Sequence, residues 1–257
     1  NALGNTGEIR APQAWRTRIP EELYPTTWVT ELCIDALERF AQEPERPFFL
    51  QCGYTDPHHP FTPPGKYWDM YDPAEIPVPG SLGAEHTDPP PFIGRLKGAL
   101  ARGVANRTYV HPYAVDEQEA RESIALTYGM ISMVDDGIGR ILAKLNGLGL
   151  AENTIVIYSS DHGDIMGDHG IMLKHGLHTE GVIRMPMIWA DPEAQAGQRS
   201  DMLASAIDFM PSVLARAGLQ PFTGVQGVDV VGLVQEGKQP DRTGLIIEAD
   251  ELPENVD

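Results

Sequence analysis

Apolar positions along the chain fall into two kinds of pattern: one recurs every three to four residues, the other runs as short unbroken blocks. The first kind predicts helices. Thr26 or Thr27 is placed to cap one that runs to about Ala41, with Trp28, Leu32, Cys33, Ala36, Leu37 and Phe40 on one face. Asp116 is placed to cap the longest, which runs to about Leu145 and is closed by Asn146-Gly147. Its stripe is Ile124, Tyr128, Ile131, Val134, Ile138, Ile141, Leu142 and Leu145. Gly129, Gly137 and Gly139 interrupt it, each costing about 1 kcal/mol against alanine. Packing rather than propensity must therefore hold this helix, and the glycines predict a close approach to a sheet. A further helix is predicted over 204–217, with Ile207, Met210, Val213 and Leu214 on one side and Gly218 as its stop.

The unbroken blocks predict strands at Pro47–Tyr54, Ile155–Tyr158, Met185–Trp189 and Gly244–Glu248. Residues 1–25, polar and interrupted by Pro12, Pro20 and Pro25, read as a surface loop. From Pro63 to Pro112 the chain is rich in proline, glycine, tyrosine and charge, with no clear periodicity; Asp88-Pro89-Pro90-Pro91 cannot lie inside a regular element. A stretch this long without structure is usually functional or mobile. There is no internal repeat and no dividing linker. Helices alternating with strands predict an α/β sandwich, a mainly parallel central sheet flanked by helices, as one domain over 1–257.

Composition narrows the partners. The 257 residues are 42% hydrophobic and 22% charged, with a net charge of −18. A polyanion such as nucleic acid is repelled on average, and a small anionic substrate needs a local concentration of cations. Residues 169–184 provide one, setting Lys174, Arg184 and three histidines against a single acid, Glu180. Cys33 and Cys52 support neither a disulfide framework nor a zinc site and read as buried thiols. No apolar run approaches membrane-spanning length, and no signal pattern opens the chain.

Two polar loops carry the candidate chemistry. The predicted strand Ile155–Tyr158 breaks into Ser160, Asp161, His162, Gly163 and Asp164, then Gly167, Asp168, His169, Gly170 and Lys174. Ligands of open α/β sheets collect beyond the carboxyl ends of strands. Asp161 and His162 fall there, and an adjacent carboxylate and imidazole can reach one cation while glycines let the backbone close around it. The other loop, Asp56-Pro57-His58-His59-Pro60-Phe61, holds two imidazoles between prolines that restrict their direction. Asp135-Asp136 is set aside as structural, because adjacent helix positions diverge by about 100° and cannot easily share an ion.

The order Ser160-Asp161-His162-Gly163, Gly167, His169-Gly170, Lys174 resembles the second signature of the sulfatases, in the alkaline phosphatase superfamily. Glu180, Arg184 and Pro186 are similar to the E-x-x-x-R-x-P segment that follows, and Pro57-His58-His59-Pro60-Phe61 to the P-H-x-P-F element upstream. The resemblance implies an alkaline phosphatase-like fold and hydrolysis of small sulfate esters by a formylglycine nucleophile with a divalent cation. It implies Asp161 and His162 as metal ligands, of Ca2+ by the oxygen-rich site or Mn2+ by the imidazole. It implies that Lys174 meets the sulfate or its leaving oxygen, and that His58 bonds the same group or assists departure of the alcohol. Neither Cys33, Cys52 nor any serine begins the C/S-x-P/A-x-R motif of the nucleophile, and the paired N-terminal aspartates of the metal site are missing. The expectation is a chain truncated at its N-terminus, and at its C-terminus too, inactive alone. A phosphonate monoester or phosphodiester hydrolase on the same scaffold, and a non-enzymatic remnant, are the competing readings. The substrate alcohol, the compartment and the oligomeric state are not legible.

Overall fold

The computed structural model describes residues 9–85, 90–108, 110–174 and 177–248. Residues 1–8, the Asp88-Pro89 step and His175 lie outside the described residues. Along the chain run α1 (Pro25–Phe40), α2 (Pro91–Ala101), β1 (Tyr113–Ala114), α3 (Glu117–Gly147), β2 (Val156–Ser159), β3 (Ile171–Met172), α4 (Glu180–Ile183), β4 (Met187–Ala190), α5 (Phe209–Arg216) and α6 (Val230–Gln235). They fall into two compact units. Of the described residues, the larger takes in 9–152 and 163–183, and the smaller takes in 153–162 and 184–248.

In the larger unit α3 starts where the sequence predicts. The Asp116 carboxylate accepts the Glu119 N–H, and the Glu119 side chain returns to the Asp116 N–H, so two orphan donors are satisfied reciprocally. Its buried face differs from the predicted stripe. Met130, Met133 and Gly137 are buried, whereas Tyr128, Ile131 and Leu142 are exposed. The reason is close approach. A Cβ on Gly137 would stand 2.5 Å from Thr30 Oγ1 on α1, and one on Gly129 2.2 Å from the Tyr67 carbonyl oxygen. These glycines let α3 pack on α1 and on a loop, not on a sheet; Gly139 meets nothing within 4 Å.

The cap of α1 also differs: Pro25 occupies its first turn, Tyr24 precedes it, and Thr26 and Thr30 are buried inside it while Trp28 and Leu32 are exposed. Pro25 supplies the preset φ that makes a hydroxyl cap dispensable. Residues 9–25 are more than a surface loop. Ala11 and Ala14 are fully buried, and the Arg10 and Ala11 N–H groups donate to Glu122 Oε2 at 2.6 and 2.7 Å. Asp136 accepts from Tyr67 Oη at 2.6 Å and from Lys66 at 3.2 Å, a structural role.

Two ladders form among the described residues, β1 with β3 and β2 with β4, both antiparallel; Ala14–Phe61 is an isolated parallel bridge. The expected strands at 47–54 and 244–248 are not formed, and the mainly parallel sheet is not what these pairings build. An apolar run becomes a strand only when a neighbour completes its hydrogen bonds. Phe49 is instead 82% exposed, and Phe48 stacks on Phe40 with centroids 4.8 Å apart.

The smaller unit pairs β2 and β4 over Val156–Ser159. In its α5 region Ile207 and Met210 face solvent, while Asp208, Pro211 and Ser212 are buried. Asp208 is fully buried because its oxygens are saturated, by the Ser205 and Val228 N–H groups and by Arg242. A saturated carboxylate can occupy a core that an apolar stripe was expected to fill. Gly218, at φ 70, ends the helix as predicted. Among the described residues no helix is long and apolar enough to cross a membrane.

Candidate active site

In the larger unit the His58-His59 loop and Lys174 are each flanked by a residue of one apolar cluster. Phe61, which closes the His58-His59 loop, and Leu173, which precedes Lys174, are buried in one cluster with Ala14, Tyr113, Met130 and Met172. Phe61 is further fixed by its N–H to Gln13 O at 2.9 Å. Leu173 holds a left-handed backbone at φ 69, so a fully buried leucine is followed by a lysine whose side chain is 14% exposed. Sequence neighbours thus bring two distant loops together.

His58 and His59 stack with centroids 4.0 Å apart and planes inclined by 29°. His58 Nδ1 lies 2.6 Å from the His59 carbonyl oxygen. A carbonyl only accepts, so His58 Nδ1 carries the hydrogen, and Nε2 is the nitrogen left for a substrate. His59 Nδ1 is buried without a hydrogen-bond partner among the described residues. Burial, then the neighbouring His58 and the Lys174 ammonium, push the His59 pKa down to about 4, so this ring is neutral near pH 7. The sequence distinguishes His58 from His59 only by position in the motif; the burial of His59 Nδ1 has no sequence signal.

The segment Gly163–Gly170 belongs to the same unit. The Gly163 N–H donates to Val182 O at 2.8 Å, and a Cβ there would stand 1.9 Å from the Gly181 carbonyl oxygen. The close approach at Gly163 is thus to the backbone of Gly181. Ser81, from the stretch without periodicity, donates to Asp168 Oδ1 at 2.6 Å and accepts the His169 N–H at 3.1 Å. Lys174 Nζ donates to Asp164 Oδ2 at 3.3 Å. An acid ten positions before a lysine gives no periodic signal, so this pairing escaped the sequence.

In the smaller unit β2 runs directly into Ser160, Asp161 and His162. Ser159 Oγ donates to Pro186 O at 3.0 Å, and Ser160 Oγ to His162 O at 2.9 Å, which fixes the backbone beyond the strand. The His162 N–H donates to Asp161 Oδ1 at 2.9 Å, and Asp161 Oδ2 lies 3.6 Å from His162 Nε2. Burial works to raise the Asp161 pKa, but that N–H and the nearby imidazole outweigh it and hold the carboxyl below its ordinary range. A carboxylate oxygen and an imidazole nitrogen this close can touch one cation at ordinary metal–ligand lengths. The donor chemistry fits two ligands of a divalent ion. Among the described residues no group of three or more His, Cys, Asp or Glu side chains is arranged to complete such a shell. Glu180 begins α4 and Arg184 follows it.

Cys33 and Cys52 are free. Burial, then contact with the Cys52 thiol, pushes the Cys33 pKa up to about 12, which makes it an inert thiol rather than a nucleophile.

Comparison with known proteins places these observations in a family. The sulfatase family model matches residues 10–219. An arylsulfatase of Clostridium perfringens is 33% identical over 221 residues, covering 84% of this chain and 43% of that protein. The multifunctional alkaline phosphatase superfamily protein PehA of Trinickia caryophylli is 31% identical over 242 residues, covering 91% and 46%. The phosphonate monoester hydrolase of Agrobacterium radiobacter superposes with a TM-score of 0.70 at 24% identity, over 90% of this chain and 46% of that one. That of Silicibacter pomeroyi gives 0.73 at 21%, over 94% and 49%. These likenesses fix an alkaline phosphatase-like fold, and the chain spans about half the length of the curated relatives it matches. By the match over residues 10–219 it belongs to the sulfatase family.

Proposed function

We propose that the protein containing this chain hydrolyses small sulfate esters, using a divalent cation and a formylglycine nucleophile that lies outside residues 1–257. The observation that carries the reading is the family match over a span that includes His58, Asp161, His162 and Lys174. In this reading the fully grown charge of the departing alcohol is the problem to solve, and fixed cations solve it without reorganising. Lys174 presents its ammonium to the sulfate or the leaving oxygen. His58, held through Nδ1 by the His59 carbonyl, keeps Nε2 for the same group and, when it is the imidazolium, can deliver the Nε2 proton to the departing oxygen and revert to the Nδ1–H form. Asp161 and His162 would hold the cation, Ca2+ by the oxygen donor or Mn2+ by the imidazole, and it would polarise the ester oxygens. Residues 1–257 alone are expected to be inactive.

A phosphonate monoester or phosphodiester hydrolase is the second reading. The same side chains serve a phosphoryl centre, and a relative at 31% identity bears the name multifunctional. Parallel assays of the full-length protein on aryl sulfates and aryl phosphonate monoesters separate the two; turnover of neither returns the protein to a non-enzymatic role.

The metal assignment has its own measurement. Asp161→Ala and His162→Ala in the full-length protein are each expected to lower bound metal, read by elemental analysis. Unchanged stoichiometry in both removes these residues from the metal site. For the histidines, His58→Ala is expected to reduce kcat far more than His59→Ala, because His58 holds the position that matches the P-H-x-P-F element and its Nε2 is left for a substrate. Steady-state kinetics of the two variants give the answer, and equal or reversed effects would mean that the register of the loop has been misassigned.

A further inference from the structure

Lys174 carries a partner that its proposed role does not call for. Its ammonium lies 3.3 Å from Asp164 Oδ2, and the two side chains are only 14% and 19% exposed. The other oxygen, Asp164 Oδ1, accepts the Met166 N–H at 3.3 Å, within the segment whose backbone is locked to Val182 through Gly163. A lysine side chain is long and rotamer-rich, and as a point charge it has no preferred direction of its own. A carboxylate tied at one oxygen to backbone is a fixed reference against which such a chain can be oriented. A mostly buried ion pair with one contact contributes little net stability. Its main physical consequence is geometric.

From this pairing we infer that Asp164 is a positioning residue: it orients the Lys174 ammonium toward the anionic ester and does not itself touch the substrate. The neighbouring His59, whose Nδ1 has no hydrogen-bond partner among the described residues, carries no anionic charge to attract the ammonium, so Asp164 supplies the directing force. The inference rests on the sulfate-ester reading only in requiring that Lys174 meets the substrate. A purely structural pair is the competing account, and it has a different kinetic signature. Misdirecting Lys174 hurts most where the leaving oxygen needs most help, whereas a softened loop hurts all esters alike.

The test uses the full-length protein and a series of aryl sulfates and aryl phosphonate monoesters of rising phenol pKa. Asp164→Asn is expected to lower kcat on the poorest leaving group by about 10- to 100-fold, as a displacement of about 1 Å does. The loss should be smaller on the best leaving group. Asp164→Glu should recover most of the activity, and Asp164→Asn should add nothing in a Lys174→Ala background. A loss equal across the series, an additive double variant, or an Asp164→Asn enzyme within twofold of wild type overturns the inference. If Lys174→Ala itself turns over every ester normally, the reading of Lys174 fails first and takes this one with it. Asp164→Ser, which keeps an acceptor for the Met166 N–H, replaces Asp164→Asn in the same comparisons should the amide variant not fold.

Discussion

Replacing Lys174 by alanine in the full-length protein is expected to lower kcat by about two to three decades, a loss of roughly 3 to 4 kcal/mol in transition-state stabilisation. A surface lysine in a basic loop would be lost at almost no cost, but Lys174 is mostly buried, anchored by Leu173 and paired with Asp164. The contact that matters strengthens as the leaving oxygen becomes negative. The deficit should therefore fall on kcat more than on KM, and it should shrink for esters of acidic phenols, which depart unaided. Kinetics on graded aryl sulfates measure both features. A variant with near-normal kcat on the poorest leaving group would remove Lys174 from the chemistry.

The second large effect is on folding. Asp208→Ala is expected to destabilise the smaller unit by about 3 to 5 kcal/mol, the usual cost of breaking a buried pair by removing one member. Asp208 is fully buried, and its oxygens accept the Ser205 N–H at 2.7 Å, the Val228 N–H at 2.9 Å, and Arg242 Nη1 and Nη2 at 3.1 and 2.6 Å. Alanine leaves Arg242, itself 17% exposed at its side chain, and two N–H groups without this acceptor. Burial favours the protonated acid, yet Arg242 and the two N–H groups prevail and hold its pKa below the ordinary carboxylate value of 3.8. A carboxylate depressed in the folded state stabilises above its unfolded pKa and loses that contribution as pH falls through the folded one. The gap between wild type and variant should thus be full at pH 7 and narrow below pH 3.8. Urea unfolding at both ends of that range reads it; coincident midpoints at pH 7 would refute the assignment.

What the sequence displayed and what it concealed divide along a physical line. Local chemistry was legible: the Asp116 cap with Glu119, the strand before Asp161, the Gly218 stop, and the two polar loops with their histidines and lysine. Each is decided within a few residues. The concealed features depend on a distant partner. The α2 helix was missed because prolines 89–91 read as a break, although Pro91 suits a first turn and Ile93 packs on Ile165, Ile171 and Val182. The runs 47–54 and 244–248 have strand composition but no strand partner among the described residues. The faces of α1, α3 and α5 were legible only in part: Cys33, Ala36, Leu37, Ile124 and Leu145 are buried as expected, but buried threonine, glycine and aspartate took other positions that apolar periodicity assigns to larger side chains. Asp164 and Asp208 are ordinary acids until Lys174 and Arg242 are placed beside them.

The apolar floor beneath Phe61 and Leu173 has a consequence for how this region responds to heat. Active-site loops are commonly drawn from the least protected parts of a protein, opening long before the rest. Here the residues that flank the histidine loop and the lysine are themselves core residues, interleaved with Met130 of α3. To detach either loop, solvent must reach the interior of the larger unit, so loosening and global opening of that unit share one cooperative event. The lysine and the histidines are then expected to have no separate melting of their own, and the Phe61 amide proton, bonded to Gln13 O, is expected among the slowest-exchanging of that unit.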